Sequence, residues 1–356
     1  MRNSKFLIAL ILFVCSAKAV LGQQDAQWSQ YMFNGLYYNP GYAGVEGVAR
    51  FTSIARQQWI GYNPNAGYNG GSPTTIILSG NSPLPKIGKY SHGGGIYLLN
   101  DQLGPIVANQ IELSYAAHFK IGQGTLGVGL RGGFASQKIN TNQYNFVDPG
   151  DHVITTLQNN SPTQFRPDFA GGLWYQSKKY YIGASIDHFL NPTYSFGTGN
   201  IVQSTLKNNI YLTGGYFFKL GTSIEINPTA LLQVNNGITG SSGQSQLTWL
   251  YGALVTYNGK FWGGINVREA LASNDATVGG RGFSNDDVIF LFGLNILKNK
   301  KGEDCMKVGY AFDIVTSGAN AKTRTSQELM LSYFTVPPWS GIKPKVRTPR
   351  YRHDEN

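Results

Sequence analysis

Glycine motifs are the first feature of this sequence that could support chemistry. The spacing Gly-x-Gly-x-x-Gly occurs twice, at Gly122–Gly127 and Gly127–Gly132. In nucleotide-binding proteins this motif joins a strand to a helix, whose N–H groups bind a pyrophosphate. No helical periodicity follows here. Gly127 and Gly129 instead alternate with larger apolar residues, which predicts a strand with small residues on its inner face. The pattern therefore indicates glycines that leave space in a crowded interior, and it does not favour a nucleotide site.

Histidines and carboxylates give no pattern typical of a metal site or of catalysis. The five His residues lie at positions 92, 118, 152, 188 and 353. Asp187 and His188 could form a dyad, but neighbours on a strand point to opposite faces, so we expect only one inside, as a rim pair beside an outer loop. Neither a nucleophile elbow nor a Ser–His constellation is present. We therefore predict no enzyme activity, no metal and no cofactor.

Several ionisable side chains are expected to face one common interior, namely those of Glu112, His118, Arg131, Asp168, Asp187, Glu225 and Asp313. Such a group could form an active site. Polar residues are also the ordinary filling of a membrane barrel. Both interpretations stay open from the residues alone.

The elements that position these residues are strands, because the hydrophobic periodicity is two almost everywhere. In the range 106–119, Leu113 and Tyr115 share one face, while Glu112 and Ser114 share the other. Several alternating segments run for about ten residues, the length of a tilted membrane strand. Fourteen segments are found, with cores at 48–59, 73–82, 93–100, 106–119, 125–136, 166–176, 180–190, 208–219, 223–235, 245–257, 260–269, 286–297, 305–315 and 326–334.

The connections between these segments alternate between short and long from the fourth segment onward, and Asp101–Gly104 is the exception. Outer-membrane barrels have an even strand number, short periplasmic turns and longer external loops. Aromatic residues at segment ends are typical of membrane girdles: Tyr180, Tyr181, Trp249, Tyr257, Phe261, Trp262, Tyr333 and Phe334. We predict an all-β fold, a transmembrane antiparallel β-barrel of about 14 strands, with 12 or 16 as alternatives.

Composition supports this fold class. The 356 residues include 45 Gly and only 13% charged residues, against roughly 25% in average soluble domains. A secreted β-sandwich or propeller is the alternative, but no repeat of propeller length is present. The net charge of +10 lies mostly in turns and in the C-terminal tail. Periplasmic partners or anionic lipid are expected to meet this charge, and nucleic acid is not.

The N-terminus has the pattern of a secretory signal peptide. Arg2 and Lys5 precede an apolar run from Phe6 to Val14, and small residues follow up to Gly22. We therefore expect residues 1–22 to be removed. A lipoprotein signal at Cys15 is the weaker alternative, because bulky Val14 precedes it.

Residues 25–44 read DAQWSQYMFNGLYYNPGYAG. This block resembles the opening signature of the PorP/SprF family of type IX secretion system membrane proteins. Later blocks agree in order: Arg56–Tyr62, Gly71–Leu84, Gly94–Gly104, Lys307–Thr316 and Ser326–Phe334. The sequence departs from the family pattern at Gly35 and Gln327. The residues that carry the opening resemblance are Gln30, Tyr31, Met32, Asn34, Asn39, Pro40, Tyr42, Ala43 and Gly44.

The resemblance implies a non-enzymatic outer-membrane component of type IX protein secretion or gliding, which docks and retains an exported surface protein. The implied partners are an exported adhesin or cargo with a type IX C-terminal domain, periplasmic secretion components and outer-membrane lipid. A channel for small or hydrophobic solutes is the alternative function. We expect a lead-in or plug at 23–44, a barrel at 45–334, a Pro-rich basic tail at 335–356, and both termini in the periplasm.

Two regions are candidates for partner binding. The longest loop carries the aromatic and acidic residues Tyr144, Phe146, Asp148 and Asp151. The tail carries five basic residues and four prolines, so it is expected to be extended until bound. Its candidate contacts are Lys343, Lys345, Arg347, Arg350 and Arg352.

Overall fold

The computed structural model describes residues 25–61, 72–88, 90–141, 156–157, 162–197, 199–200, 202–235, 246–271, 283–298, 304–316 and 325–337. Strands dominate them. The strands are β1 (Ala49–Gln57), β2 (Thr74–Ile87), β3 (Tyr90–Leu103), β4 (Ile106–Ile121), β5 (Gly124–Ile139), β6 (Gln164–Gln176), β7 (Tyr180–Asp187), β8 (Thr193–Phe196), β9 (Val202–Thr205), β10 (Asn209–Tyr216), β11 (Phe218–Leu220), β12 (Ile224–Asn235), β13 (Gln246–Tyr257), β14 (Phe261–Leu271), β15 (Phe283–Lys298), β16 (Asp304–Val315) and β17 (Thr325–Thr335).

The main sheet is a closed antiparallel barrel. Its strands follow the order β10-β7-β6-β5-β4-β3-β2-β1-β17-β16-β15-β14-β13-β12, and β10 pairs with β12 to complete the ring. The short β11 continues β10 past Phe217 and pairs with the same neighbour, β12. The barrel therefore has the fourteen strands that the alternation predicts. The two-stranded sheet of β8 and β9 stands apart from it.

Alternation along each strand separates an apolar outer face from a crowded inner one. On β4, Leu113 is 61% exposed and Tyr115 is 47% exposed, whereas Glu112 is 1% exposed. Since a membrane barrel turns its apolar side chains outward, the exposed face of Leu113 is the lipid face. The predicted inside–outside phase of this strand is confirmed.

The predicted aromatic girdle is only partly correct. Tyr180, Tyr257, Phe261 and Tyr333 lie on the outer face, each more than two-fifths exposed. Three of their neighbours and predicted companions are buried inside: Tyr181, Trp262 and Phe334. Neighbouring residues on a strand cannot share a face, so adjacent aromatic pairs divide between the lipid and the lumen.

The barrel is filled by the chain that precedes it. We call residues 25–48 the lumenal segment. It contains two 3-10 turns, Tyr31–Phe33 and Pro40–Tyr42, and a single α-helical turn, Gly35–Tyr38, and nearly all of its residues are buried. Among the described residues, no helix is both long and apolar enough to cross a membrane.

The lumenal segment runs the length of the barrel. Asp25 contacts Asn209, which pairs with the last residue of β7. The segment ends at β1, whose first residue, Ala49, pairs with Thr335 at the end of β17. In an antiparallel barrel these are opposite ends. The chain from Asp25 therefore crosses the lumen before β1 starts, whereas the termini themselves, at 1–24 and 338–356, lie outside the described residues.

The largest apolar cluster joins the lumenal segment to the wall. Trp28, Tyr31, Phe33 and Tyr37 pack against inward apolar residues from strands all round the ring, Ile54, Ile77, Leu231, Leu250, Leu254, Ile289, Leu291 and Met330 among them. An inner face in contact with water would be polar. Here part of the inner wall is apolar, at the places where these aromatic side chains of the segment touch it.

The outward face of β4 yields a stability prediction. Leu113→Arg should abolish assembly, since a cationic side chain on the lipid face near the bilayer centre costs about 2–4 kcal/mol. The control Leu113→Phe keeps the position apolar and should assemble normally. Heat-modifiable gel mobility measures the folded fraction, and equal assembly of the two variants would contradict the assignment of this face.

Candidate functional site: the lumenal segment and the long-loop mouth

The signature residues of the sequence lie together in the lumenal segment, and all nine are buried. Gln30 donates its backbone N–H to Glu328 Oε1 at 2.9 Å. The hydroxyl of Tyr31 bonds the hydroxyl of Thr229 at 2.7 Å. Met32 lies in the main apolar cluster, and Tyr42 packs on Trp174 in a second cluster. The remaining five signature residues are buried as well: Asn34, Asn39, Pro40, Ala43 and Gly44. The signature therefore specifies an insert that fits this wall.

Asn39 joins the segment to two strands. Its side-chain Nδ2 donates to the carbonyls of Leu173 at 2.9 Å and Ala184 at 3.1 Å. Its Oδ1 accepts from the backbone N–H of Gly41 at 2.8 Å. One amide side chain thus fixes both the turn at Pro40 and its position on the wall.

Inward glycines form a groove for this turn. A Cβ at Gly129 would lie 2.3 Å from the backbone nitrogen of Gly41, and one at Gly127 would lie 2.1 Å from its carbonyl oxygen. Gly93 is equally close to the carbonyl of Ala43. The prediction that Gly127 and Gly129 face inward is confirmed, and their function is to admit another backbone.

A first buried ion network surrounds Ser29. Its backbone N–H donates to Glu328 at 2.8 Å and its hydroxyl to Asp313 at 2.6 Å. Arg56 forms ion pairs with the same two carboxylates, at 2.8 Å to Asp313 and 3.5 Å to Glu328. Arg268 completes the network with ion pairs to Asp287 and to Asp313.

A second network lies across the lumen. Arg131 pairs with Asp187 and donates to two carbonyls of the segment, Leu36 O at 3.2 Å and Tyr37 O at 2.7 Å. The ring of Tyr97 lies beneath its guanidinium at 5.0 Å. Arg131 therefore neutralises a carboxylate and satisfies backbone acceptors of the insert at once.

His188 belongs to this second network, and the expectation of a rim pair with Asp187 is wrong. His188 has φ of 56°, in the left-handed region, and follows the last residue of β7. The strand rule for neighbours no longer applies there, so both side chains are buried inside. Its ring bonds Asp168 through Nδ1 and Asp25 through Nε2, the latter at 3.0 Å. Burial opposes charge on the imidazole, but the carboxylates of Asp25, Asp187 and Asp168 raise the pKa of His188 well above its usual value.

At the long-loop end, the hairpin of β8 and β9 folds over the lumen. Tyr194 and Phe196 of β8 pack against Ala135 and Ile139 of β5. Beneath the hairpin lies a cavity of about 410 Å³. Its lining combines Asp25 and Ala26 of the lumenal segment with residues of β3, β4 and β5 and with the whole of β9.

The two edges of the hairpin differ. The edge of β8 is covered by Gln164, whose Oε1 accepts from the N–H of Ser195 at 3.2 Å while its Nε2 donates to the carbonyl of the same residue. The N–H of Leu206, directly after β9, donates to the carbonyl of Pro192 at 3.0 Å. Bonded pairs alternate along an antiparallel ladder, so Ser204 and Val202 are the residues of β9 that bond β8. The N–H and C=O groups of Gln203 and Thr205 therefore point away from β8, and within the described residues no strand pairs with that edge.

None of the predicted partner residues is among the described residues. Tyr144, Phe146, Asp148 and Asp151, together with the basic tail residues 343–352, lie outside the described residues. The hairpin falls in a connection expected to be a plain loop. Two short alternating runs separated by the turn sequence Gly197–Asn200 were the signal that could have indicated it.

The chain matches one described protein family. Residues 20–333 match the family described as "Type IX secretion system membrane protein PorP/SprF". No curated protein matches the chain. Among solved structures, a FadL homologue of Pseudomonas aeruginosa is similar over 90% of this chain and 99% of its own, with 10% identity and a TM-score of 0.49.

Two other solved barrels are similar at the same low level. The toluene transporter TbuX of Ralstonia pickettii has 12% identity and a TM-score of 0.46, covering 85% of this chain and 92% of its own. The outer membrane protein Omp33 of Acinetobacter baumannii has 8% identity and a TM-score of 0.41, covering 82% of this chain and 100% of its own. Neither likeness carries information about a ligand.

The glycine groove makes a testable prediction about the lumenal segment. Gly129→Ala should displace it, because the added methyl would overlap the backbone at Gly41. Gly132→Ala is the matched control, since a Cβ there meets only the movable side chain of Phe169, at 3.1 Å. Limited proteolysis should cleave residues 25–48 at least tenfold faster in Gly129→Ala alone. Equal protection of both variants would show that the segment does not depend on the groove.

Proposed function

Because the chain belongs to the PorP/SprF family of type IX secretion system membrane proteins, we propose that it is a non-enzymatic outer-membrane component that docks an exported surface protein. The partner is an adhesin or other cargo carrying a type IX C-terminal domain. Docking takes place at the long-loop mouth, where an extended segment of the partner enters the cavity.

The observation that carries this proposal is the outer edge of β9, with which no strand pairs within the described part of the chain. An unpaired strand edge offers backbone donors and acceptors to an incoming strand, and addition of a strand is a recurring mode of peptide recognition. Gln203 and Thr205 present these groups beside a cavity that also contains apolar side chains, Leu99, Leu103 and Ile106 among them. Pockets of this kind would select alternate side chains of an added strand.

A solute channel is the alternative function, and the filled lumen argues against it. The lumenal segment contacts the wall through apolar packing and through both ion networks. An ordinary porin instead keeps a water-filled interior. A conductance of porin size from the unmodified protein in planar bilayers would favour the channel.

The orientation in the membrane is part of the proposal. The short turns lie at the end where β1 starts and β17 ends, and the longer connections lie at the other end, apart from the turn at Gly104–Pro105. By the usual asymmetry of outer-membrane barrels, the short-turn end faces the periplasm. Thr335 is then periplasmic, whereas Asp25 lies toward the cell surface.

Docking on β9 predicts a specific effect of proline. Gln203→Pro removes the outward N–H and should reduce recovery of the exported partner at least tenfold, while pairing with β8 is unaffected because that N–H does not bond β8. Gln203→Ala keeps the N–H and is the matched control. Affinity purification from cells, quantified by mass spectrometry, measures recovery. Equal recovery by both variants would exclude this edge as the docking element.

The basic tail is proposed as a tether to periplasmic secretion components. Its five basic residues, Lys343, Lys345, Arg347, Arg350 and Arg352, can make several weak contacts at once, each of about 0–1 kcal/mol. Deleting residues 338–356 should leave a folded barrel but lower co-purification of those components, and the effect should shrink at high salt, which already screens the ionic contacts of the tail. A shuffled tail of equal charge is the control for composition. Full recovery after deletion would show that the tail is not a tether.

A further inference from the structure

Glu112 is a buried carboxylate without a partner. It lies on the inner face of β4 and is 1% exposed, and neither of its carboxylate oxygens forms a hydrogen bond. Burying an ionised carboxylate without compensation is among the most costly arrangements in a protein. Its two carboxylate oxygens are therefore available to bind a ligand.

The sheet register aims Glu112 at a cluster on the neighbouring strands. Glu112 pairs with Gly133, and Gly133 pairs with Asp168, so the three form one row across β4, β5 and β6. The missing side chain at Gly133 leaves this row open, and Glu112 Oε2 lies 2.7 Å from the place that a Cβ there would take. The carboxylate thus leans over Gly133 toward Asp168.

The cluster that it faces has the donor atoms of a cation site. Ligand atoms of Asp168, Asp187 and His188 lie within 4.8 Å of one another. Carboxylates outnumber basic side chains there, because within the described residues of this network Arg131 and His188 face four buried carboxylates, those of Asp25, Glu112, Asp168 and Asp187.

We propose that this inner row binds a divalent cation through Glu112 and Asp168, with Ca²⁺ as the cation. Ca²⁺ takes six to eight oxygen ligands in irregular geometry, whereas Mg²⁺ needs a regular octahedron and retains its water. Carboxylates on separate strands provide the irregular kind of site. Bound there, the cation gives the carboxylate of Glu112 a partner beside the lumenal segment, whose Asp25 belongs to the same network.

The cavity at the long-loop mouth gives the cation a path. It is lined by Asp101, Gln110 and Asp25. Gln110 lies two residues from Glu112, on the same inner face of β4, and Asp25 contacts His188. Side-chain oxygens of Asp101, Gln110 and Asp25 therefore lie between the long-loop mouth and the row of Glu112 and Asp168. The proposal is independent of partner docking.

Calorimetric titration of the full-length protein in detergent, after chelator treatment, tests the site. Wild-type protein should bind CaCl₂ and unfold at a higher temperature with it. Glu112→Gln should weaken Ca²⁺ binding at least tenfold and lose the thermal shift. Glu269→Gln, which alters a carboxylate that bonds Tyr251 on the far side of the barrel, is the matched control and should bind as the wild type does.

A second readout separates a lost ligand from a damaged fold. With Ca²⁺ the wild type should unfold at a higher temperature than Glu112→Gln, whereas without Ca²⁺ the two should unfold at similar temperatures, because Gln keeps the size and shape of the Glu side chain. Absence of Ca²⁺ binding by the wild type, unchanged binding by Glu112→Gln, or tighter binding of MgCl₂ would each overturn the proposal.

Discussion

The interior of this barrel depends on one constraint: a chain buried in the lumen must find partners there for its own polar groups. Several backbone groups of the lumenal segment meet this requirement with side chains of the wall. Arg131 donates to the carbonyls of Leu36 and Tyr37. Asn81 accepts from the N–H of Gly44, and Glu328 accepts from the N–H groups of Ser29 and Gln30. Charged residues of the wall thus bond the backbone of the lumenal segment, which accounts for several of the ionisable groups that lie inside the barrel.

Those charges also make the arrangement selective. A buried ion pair adds little stability against an apolar substitute, but removal of one partner is costly because the other is left unpaired. Arg56, Asp313 and Ser29 illustrate this, since each contacts the other two. A displaced insert would leave the charged wall residues facing one another without the groups that separate them. The ion networks therefore specify the position of the lumenal segment, and the aromatic packing around them stabilises it.

The sequence predicted the wall better than its contents. Alternation is a local property, so the strand segments and the outward face of Leu113 followed from neighbouring residues. The network of Ser29 with Asp313 joins positions 284 residues apart, and only ring closure brings them together. His188 shows a second limit, because one left-handed residue breaks the alternation on which the prediction depended. The girdle assignment failed at Trp262 and Phe334 although alternation holds there. Each had been grouped with its aromatic neighbour on one face, whereas alternation places neighbours on opposite faces.

The lengthwise course of the lumenal segment has a consequence for the order of assembly. The segment is joined to β1, and β1 closes the ring by pairing with β17 along Ala49–Gln57. Trp28 and Tyr31 are packed into the main apolar cluster and have almost no exposed surface, so they could not be threaded through a finished barrel. The segment must lie among the strands before the first and last of them meet, and the barrel is built around its own N-terminus.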